Sequence, residues 1–161
     1  LTVRISADDK WIATGNQDAS LHCWKIVNGS DLQMTGFETK VQHIAWRRSS
    51  DHLANASFDT ISIWDFSGRG PKGSTPIELF GHAGRIIGLG YLPTRPNILV
   101  SAATDGALCV WNPKSKGRSL ISRFESGLSL SALAISPSEE VIALGSDDGE
   151  VVLVSIDGLV S

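Results

Sequence analysis

The sequence offers little to a search for catalytic machinery. It has only two cysteines, Cys23 and Cys109, without CxxC spacing. Both fall in apolar runs, where a free cysteine serves as a small buried side chain. Such sparse use suits a reduced, cytoplasmic setting. His22, His43 and His52 show no H-x₃-H or HExxH spacing and no clustered carboxylates. No metal site is expected, because tetrahedral ligation needs three or four convergent donors. No apolar run approaches the roughly 20 residues of a bilayer span, and no basic-then-apolar leader opens the chain. Seventeen acids against fourteen bases give a net charge of −3, with no basic cluster of the kind nucleic-acid binding uses. Arg47 and Arg48 fall far short of one and read as a solvated turn. Neither GxGxxG nor GxxxxGKS/T opens a helix, helical periodicity is almost absent, and no GxSxG elbow occurs. No cofactor is expected.

What the sequence does contain is punctuation. From Gly81 to Trp111 an alternating apolar run (Ile86, Leu89, Tyr91) meets a Pro-containing turn. A second run (Ile98, Leu99, Val100), the turn signal Thr104-Asp105-Gly106 and a third run ending in Trp111 follow. This reads as three short antiparallel strands with one buried and one solvated face.

The pattern recurs. Asp18, Asp59, Asp105 and Asp148 each precede a third run, 41, 46 and 43 residues apart. Trp24 and Trp111 lie six residues after their aspartates, Trp64 lies five after Asp59, and Val154 takes the place in the fourth unit. First strands repeat at Val41, Ile44 and Trp46, and at Leu130, Leu133 and Ile135, with Val3 and Ile5 in the first unit. Fourth strands fit at Leu32–Met34, Ile77–Phe80 and Leu120–Phe124, and none follows the last unit. A period of roughly 40–45 residues with four strands is the signature of a propeller blade. The expected architecture is therefore an all-β propeller of antiparallel blades, approximately 1–35, 36–80, 81–124 and 125–161.

Gly81-His82, Asp105, Trp111 and the dipeptide Trp64-Asp65 carry a resemblance to the WD-repeat (WD40) family over essentially the whole chain. The resemblance implies a hydrogen-bond network inside each blade, running from His through Ser or Thr to Asp and Trp. It falls on His82, Ser101, Asp105 and Trp111 in unit three, and on Thr14, Asp18 and Trp24 in unit one. Asp59 and Trp64 carry it in unit two, where Phe37 and Asn55 replace the other partners, and Asp148 alone in unit four. A buried carboxylate needs surrounding donors, so these residues are expected to brace the fold rather than to catalyse. The resemblance also implies a non-catalytic scaffold that binds other proteins or peptides, and a ring of seven or eight blades. Leu1 already lies in a strand pattern, so the chain reads as a piece of a longer ring. The other blades would come from the rest of the chain or from another chain.

Two stretches stand out as partner sites. Lys40 and Arg85 share one frame position, which the resemblance places at the channel rim, suited to an acidic or phosphorylated partner. The bland alternative is two solvated charges. The connection Asp65–Pro76, with Arg69 and Lys72, reads either as a partner-binding loop or as a tolerated insertion. The alternative function is a regulatory or sensing segment of a larger multidomain protein or enzyme.

Overall fold

The computed structural model describes residues 1–68, 70–115 and 119–160, and Arg69 lies outside the described residues. Fifteen strands form four antiparallel sheets. Blade 1 holds β1 (Thr2–Ile5), β2 (Trp11–Gly15), β3 (Leu21–Lys25) and β4 (Asp31–Met34). Blade 2 holds β5 (His43–Trp46), β6 (His52–Ser57), β7 (Thr60–Asp65) and β8 (Ile77–Leu79). Blade 3 holds β9 (Ile86–Tyr91), β10 (Leu99–Ala103), β11 (Ala107–Trp111) and β12 (Leu120–Glu125). Blade 4 holds three strands, β13 (Leu130–Ile135), β14 (Val141–Ser146) and β15 (Val151–Ser155). Each sheet pairs its strands in sequence order, as a meander does. A helix, α1 (Asp157–Val160), follows β15 and seats Leu159 in the core.

The first strands gather on one side: β5 lies against both β1 and β9, and β13 against β9. The sheets therefore fan out from a common axis as propeller blades do. Packing is close between β9 and β13, where a Cβ built on Gly88 would stand 2.5 Å from that of Leu133. Only glycine permits that approach.

Three apolar clusters fill the gaps between successive blades. Trp11, Leu21, Cys23, Leu53 and Trp64 join blades 1 and 2. Ile61, Ile63, Leu99 and Trp111 join blades 2 and 3, and Val100, Leu108, Leu144 and Val154 join blades 3 and 4. This corrects the expectation of one solvated face for the Gly81–Trp111 unit. Every residue of β10 and β11 is buried, because blade 3 has a neighbour on each side. β2 and β14, in the outer blades, keep strict alternation. Blade 1 accordingly exposes Val3 and Ile5, and blade 4 exposes Val151 and Leu153.

The turns between first and second strands tie the blades together on one face. Asp9, Ser50 and Glu139 each adopt a left-handed conformation there, with φ of 56°, 58° and 55°. The Asp8 amide donates to Ser50 Oγ at 3.0 Å. Thr94 donates its backbone amide and its hydroxyl to the buried Glu139 carboxylate. Arg47, expected in solvent, is 8% exposed. It donates to the Pro96 carbonyl at 2.8 Å, to Asp51 at 3.0 Å and to Asn97 Oδ1, clamping blade 2 to blade 3. A guanidinium with three acceptors in reach is better placed there than an isolated charge in water would suggest.

Candidate functional site

The best-satisfied polar cluster lies inside blade 3. His82 precedes β9, Ser101 sits mid-β10, Trp111 ends β11, and Asp105 occupies the β10–β11 turn. The register sets Ser101 opposite Cys109 and Leu99 opposite Trp111, so the indole lies one diagonal step from the hydroxyl. Trp111 Nε1 donates to Ser101 Oγ at 2.8 Å, and Ser101 Oγ lies 2.7 Å from His82 Nε2. His82 Nδ1 faces Asp105 Oδ1 across 3.6 Å. Indole has only a donor to give and carboxylate only acceptors. Protons therefore run from Trp111 to Ser101, from Ser101 to His82 Nε2, and from Nδ1 toward Asp105. The Asp105 carboxylate accepts the Ala83 amide at 2.7 Å and the Ala107 amide at 3.0 Å.

Burial depresses the His82 imidazole below its ordinary range, and the nearby Asp105 charge offsets part of that. Burial pushes the Asp105 carboxyl up. The two amides, His82 and Arg123 outweigh it and leave the group below the usual carboxylate value. Ser101 is fully buried. A nucleophile must be reachable, so this His, Ser and Asp set has the geometry of a brace and lacks that of a catalytic triad.

Arg123 is the member that sequence reasoning missed. It lies on β12 opposite Cys109, donates to the Gly81 carbonyl, and stands 3.4 Å from Asp105 Oδ2. Its position two residues before the end of the fourth strand, on the face shared with Asp105, was the available signal.

The other units differ. In blade 2, Trp64 Nε1 donates to Asn55 Oδ1 at 2.9 Å, while Phe37 stands edge-on to the indole where His would be. Among the described residues Asp59 accepts only from the neighbouring Thr60 hydroxyl, at 3.0 Å. In blade 1, Asp18 is exposed and accepts from Ser20 Oγ at 2.6 Å. Thr14 reaches only the His22 carbonyl, at 3.5 Å. Trp24 is half-buried and tilts over the His22 ring at 4.1 Å. Asp148 is exposed, with no side-chain hydrogen bond among the described residues. The implied network is thus not assembled around Asp18, Asp59 or Asp148. The physical reason is local: without the His82 and Arg123 donors, a turn aspartate gains nothing by burial.

Of the proposed partner residues, Lys40 is half-buried just before β5 and Arg85 is exposed just before β9. His43 on β5 is held below its ordinary value by burial first, then by the charges of Arg4 on β1 and of Arg85. Lys72 is exposed, but its loop is anchored: Pro71 is buried, accepting from both the amide and the hydroxyl of Ser74. Phe66 packs edge-on to Trp11 and Trp46 at 5.0 and 4.8 Å. Among the described residues no three His, Cys, Asp or Glu side chains converge as a metal centre requires. No described helix is long and apolar enough to cross a membrane.

Comparison with known proteins agrees with this geometry. The family model "WD domain, G-beta repeat" matches residues 1–25 and 73–112. The chain is 29% identical over 159 residues to the U3 snoRNP-associated protein-like EMB2271 of Arabidopsis thaliana, covering 97% of this chain and 31% of that protein. It is 25% identical over 165 residues to Striatin-4 of Mus musculus, covering 92% and 22% respectively. It is 27% identical over 168 residues to BEACH domain-containing protein B of Arabidopsis thaliana, covering 91% and 6%. The chain therefore spans a third or less of the length of these relatives. Repeat period, blade topology and the partial family match agree, and the chain is similar to WD40-repeat proteins.

Proposed function

We propose that this chain is a rigid docking scaffold for other proteins or peptides, without catalytic activity of its own, working in the cytoplasm. One observation carries the reading. The polar residues that recur with the repeat are spent on internal bracing or left as isolated turn acids, with no reactive constellation among the described residues. The WD40 family is in general non-catalytic. The finer assignment is an acidic or phosphorylated partner at the patch of Lys40 and Arg85, extended by Arg4 and His43. The charges of Arg4 on β1 and of Arg85 before β9 both act on His43, which supports such a ligand, for which Arg is the natural bidentate donor. A net charge of −3 speaks against nucleic acid as the partner.

The test is Lys40→Glu combined with Arg85→Glu in the full chain, assayed with a doubly phosphorylated peptide. Expected are a melting curve like the parent's and roughly tenfold weaker binding per lost charge contact. Unchanged affinity removes the patch from consideration. A second reading follows from the length of the relatives: this chain as the sensing or regulatory propeller segment of a larger multidomain polypeptide, whose further blades complete a seven- or eight-bladed ring.

A further inference from the structure

Blade 3 carries a cation that blade 2 lacks. On β12, Arg123 lies opposite Cys109; its guanidinium donates to the Gly81 carbonyl and stands 3.9 Å from Cys109 Sγ. On β8 the same register position, opposite Ser62, holds Glu78. Gly36 and Phe37 take the places of Gly81 and His82 ahead of the first strand. The segment entering blade 2 therefore meets a carboxylate where the segment entering blade 3 meets a guanidinium. Between them lies a cleft of about 160 Å³, with Gly36 and Glu38 on one side and Ser62, Glu78 and Phe80 on the other. That is well below the roughly 300–1,000 Å³ of small-molecule sites, and suits one inserted side chain.

The charges lining this cleft have one sign. Glu38 and Glu78 are exposed and pair with no cation among the described residues. Lys40, two residues beyond Glu38, does not line the cleft, and Arg123 is taken by Glu125 and Asp105. Ser62 is a second and independent sign. It is 3% exposed, lines the cleft, and its hydroxyl makes no hydrogen bond among the described residues. A buried hydroxyl costs free energy unless a partner satisfies it. The corresponding atom in blade 3 is Cys109 Sγ, which faces Arg123. Phe80, just after β8, is 68% exposed and offers its ring to whatever enters; aromatic faces attract cations.

We infer that this cleft takes the side chain of an arginine from a partner protein. The guanidinium sits between the Glu38 and Glu78 carboxylates, donates to the Ser62 hydroxyl and stacks on Phe80. Arginine fits each contact better than lysine does. Its planar fork binds a carboxylate through two parallel bonds and lies flat on an aromatic ring, whereas an ammonium is a strongly hydrated point charge. The partner thus supplies to blade 2 the cation that Arg123 supplies to blade 3 from within. The site uses neither Lys40 nor Arg85, so this docking and an acidic partner at those two residues stand or fall separately.

The probe is the peptide Gly-Ala-Arg-Ala-Gly, titrated against the isotopically labelled full chain and followed by amide chemical shifts in nuclear magnetic resonance. A single anchoring residue should bind at about 1 mM and move the Ser62, Glu78 and Phe80 amides together. The lysine version should bind roughly tenfold more weakly, and the citrulline version, which keeps the shape without the charge, should not bind. Glu78→Gln and Glu78→Arg change an exposed position and should leave the melting curve in place. The first should weaken binding about tenfold; the second, which builds blade 3's own cation into blade 2, should abolish it. Four results would overturn the inference. They are no shift of those amides at roughly 10 mM peptide, equal affinity of the arginine peptide and either analogue, binding by Glu78→Arg like the parent's, or the same shifts from calcium chloride, which would make the acid pair a site for a simple cation.

Discussion

Asp105→Ala tests the view that one blade is held by a polar cluster. The native carboxylate accepts two amides, at 2.7 and 3.0 Å, beside Arg123 at 3.4 Å. The Ala83 amide is exposed, so water replaces its acceptor at little cost; the Ala107 amide lies in a buried strand and has no such recourse. A stranded buried donor costs about 1–3 kcal/mol. Loss of the counter-charge for Arg123, which also anchors Gly81, adds about 1 kcal/mol. The sum is roughly 2–4 kcal/mol, or about 4–16 °C in melting temperature for a unit of this size. Asp148→Ala is the internal control. Asp148 is exposed and makes no side-chain hydrogen bond among the described residues, so the variant should stay within about 0.5 kcal/mol of the parent. Asp105→Asn, which keeps the acceptor for Ala107, should fall between. The assay is tryptophan fluorescence and circular dichroism during urea and thermal unfolding. Should Asp105→Ala and Asp148→Ala melt together, the cluster does not brace the blade and the reasoning fails.

Two further outcomes follow from the same physics. Arg47→Ala should destabilise by roughly 2–4 kcal/mol, since it removes the donor to the Pro96 carbonyl between blades and the cation paired with Asp51; equal urea midpoints for Arg47→Ala and Arg48→Ala would contradict the clamp. Acid stability should decline in a defined window. Burial raises the Asp51 carboxyl, but hydrogen bonds from Ser49 and His52 and the charges of His52 and Arg47 bring it down to about 2. Asp105 is likewise lowered. A depressed carboxyl stabilises above its unfolded value of 3.8 and loses that contribution as pH falls toward 2. Asp51→Asn should flatten the slope of unfolding free energy against pH over that interval, and an unchanged slope would remove Asp51 as its source.

Much of the architecture was legible before any coordinates. The aspartate ruler and the punctuation by Gly and Pro depend only on chain-local preferences, namely turn chemistry and strand alternation. They placed the strands to within a residue or two. Less could be read wherever an outcome depended on a neighbour distant in sequence. Arg47 looked like a solvated charge because its acceptors, Pro96 and Asn97, lie about fifty residues away. Arg123 carried no motif, since its role arises from pairing with Cys109 and facing Asp105. The aspartates were equivalent by spacing and proved different by environment, because burial of a carboxylate depends on donors that only one blade supplies.

The sequence by itself determined the repeat, the strand order and the turn residues, all of which follow from interactions within a few residues or across one hairpin. Tertiary structure alone decided which faces are covered. The middle blades are buried on both sides, the outer blades on one, and the cleft between Glu38 and Glu78 exists only because the segment entering blade 2 lies beside that blade's last strand. Burial is a property of packed neighbours, and no residue carries its neighbours in its own name.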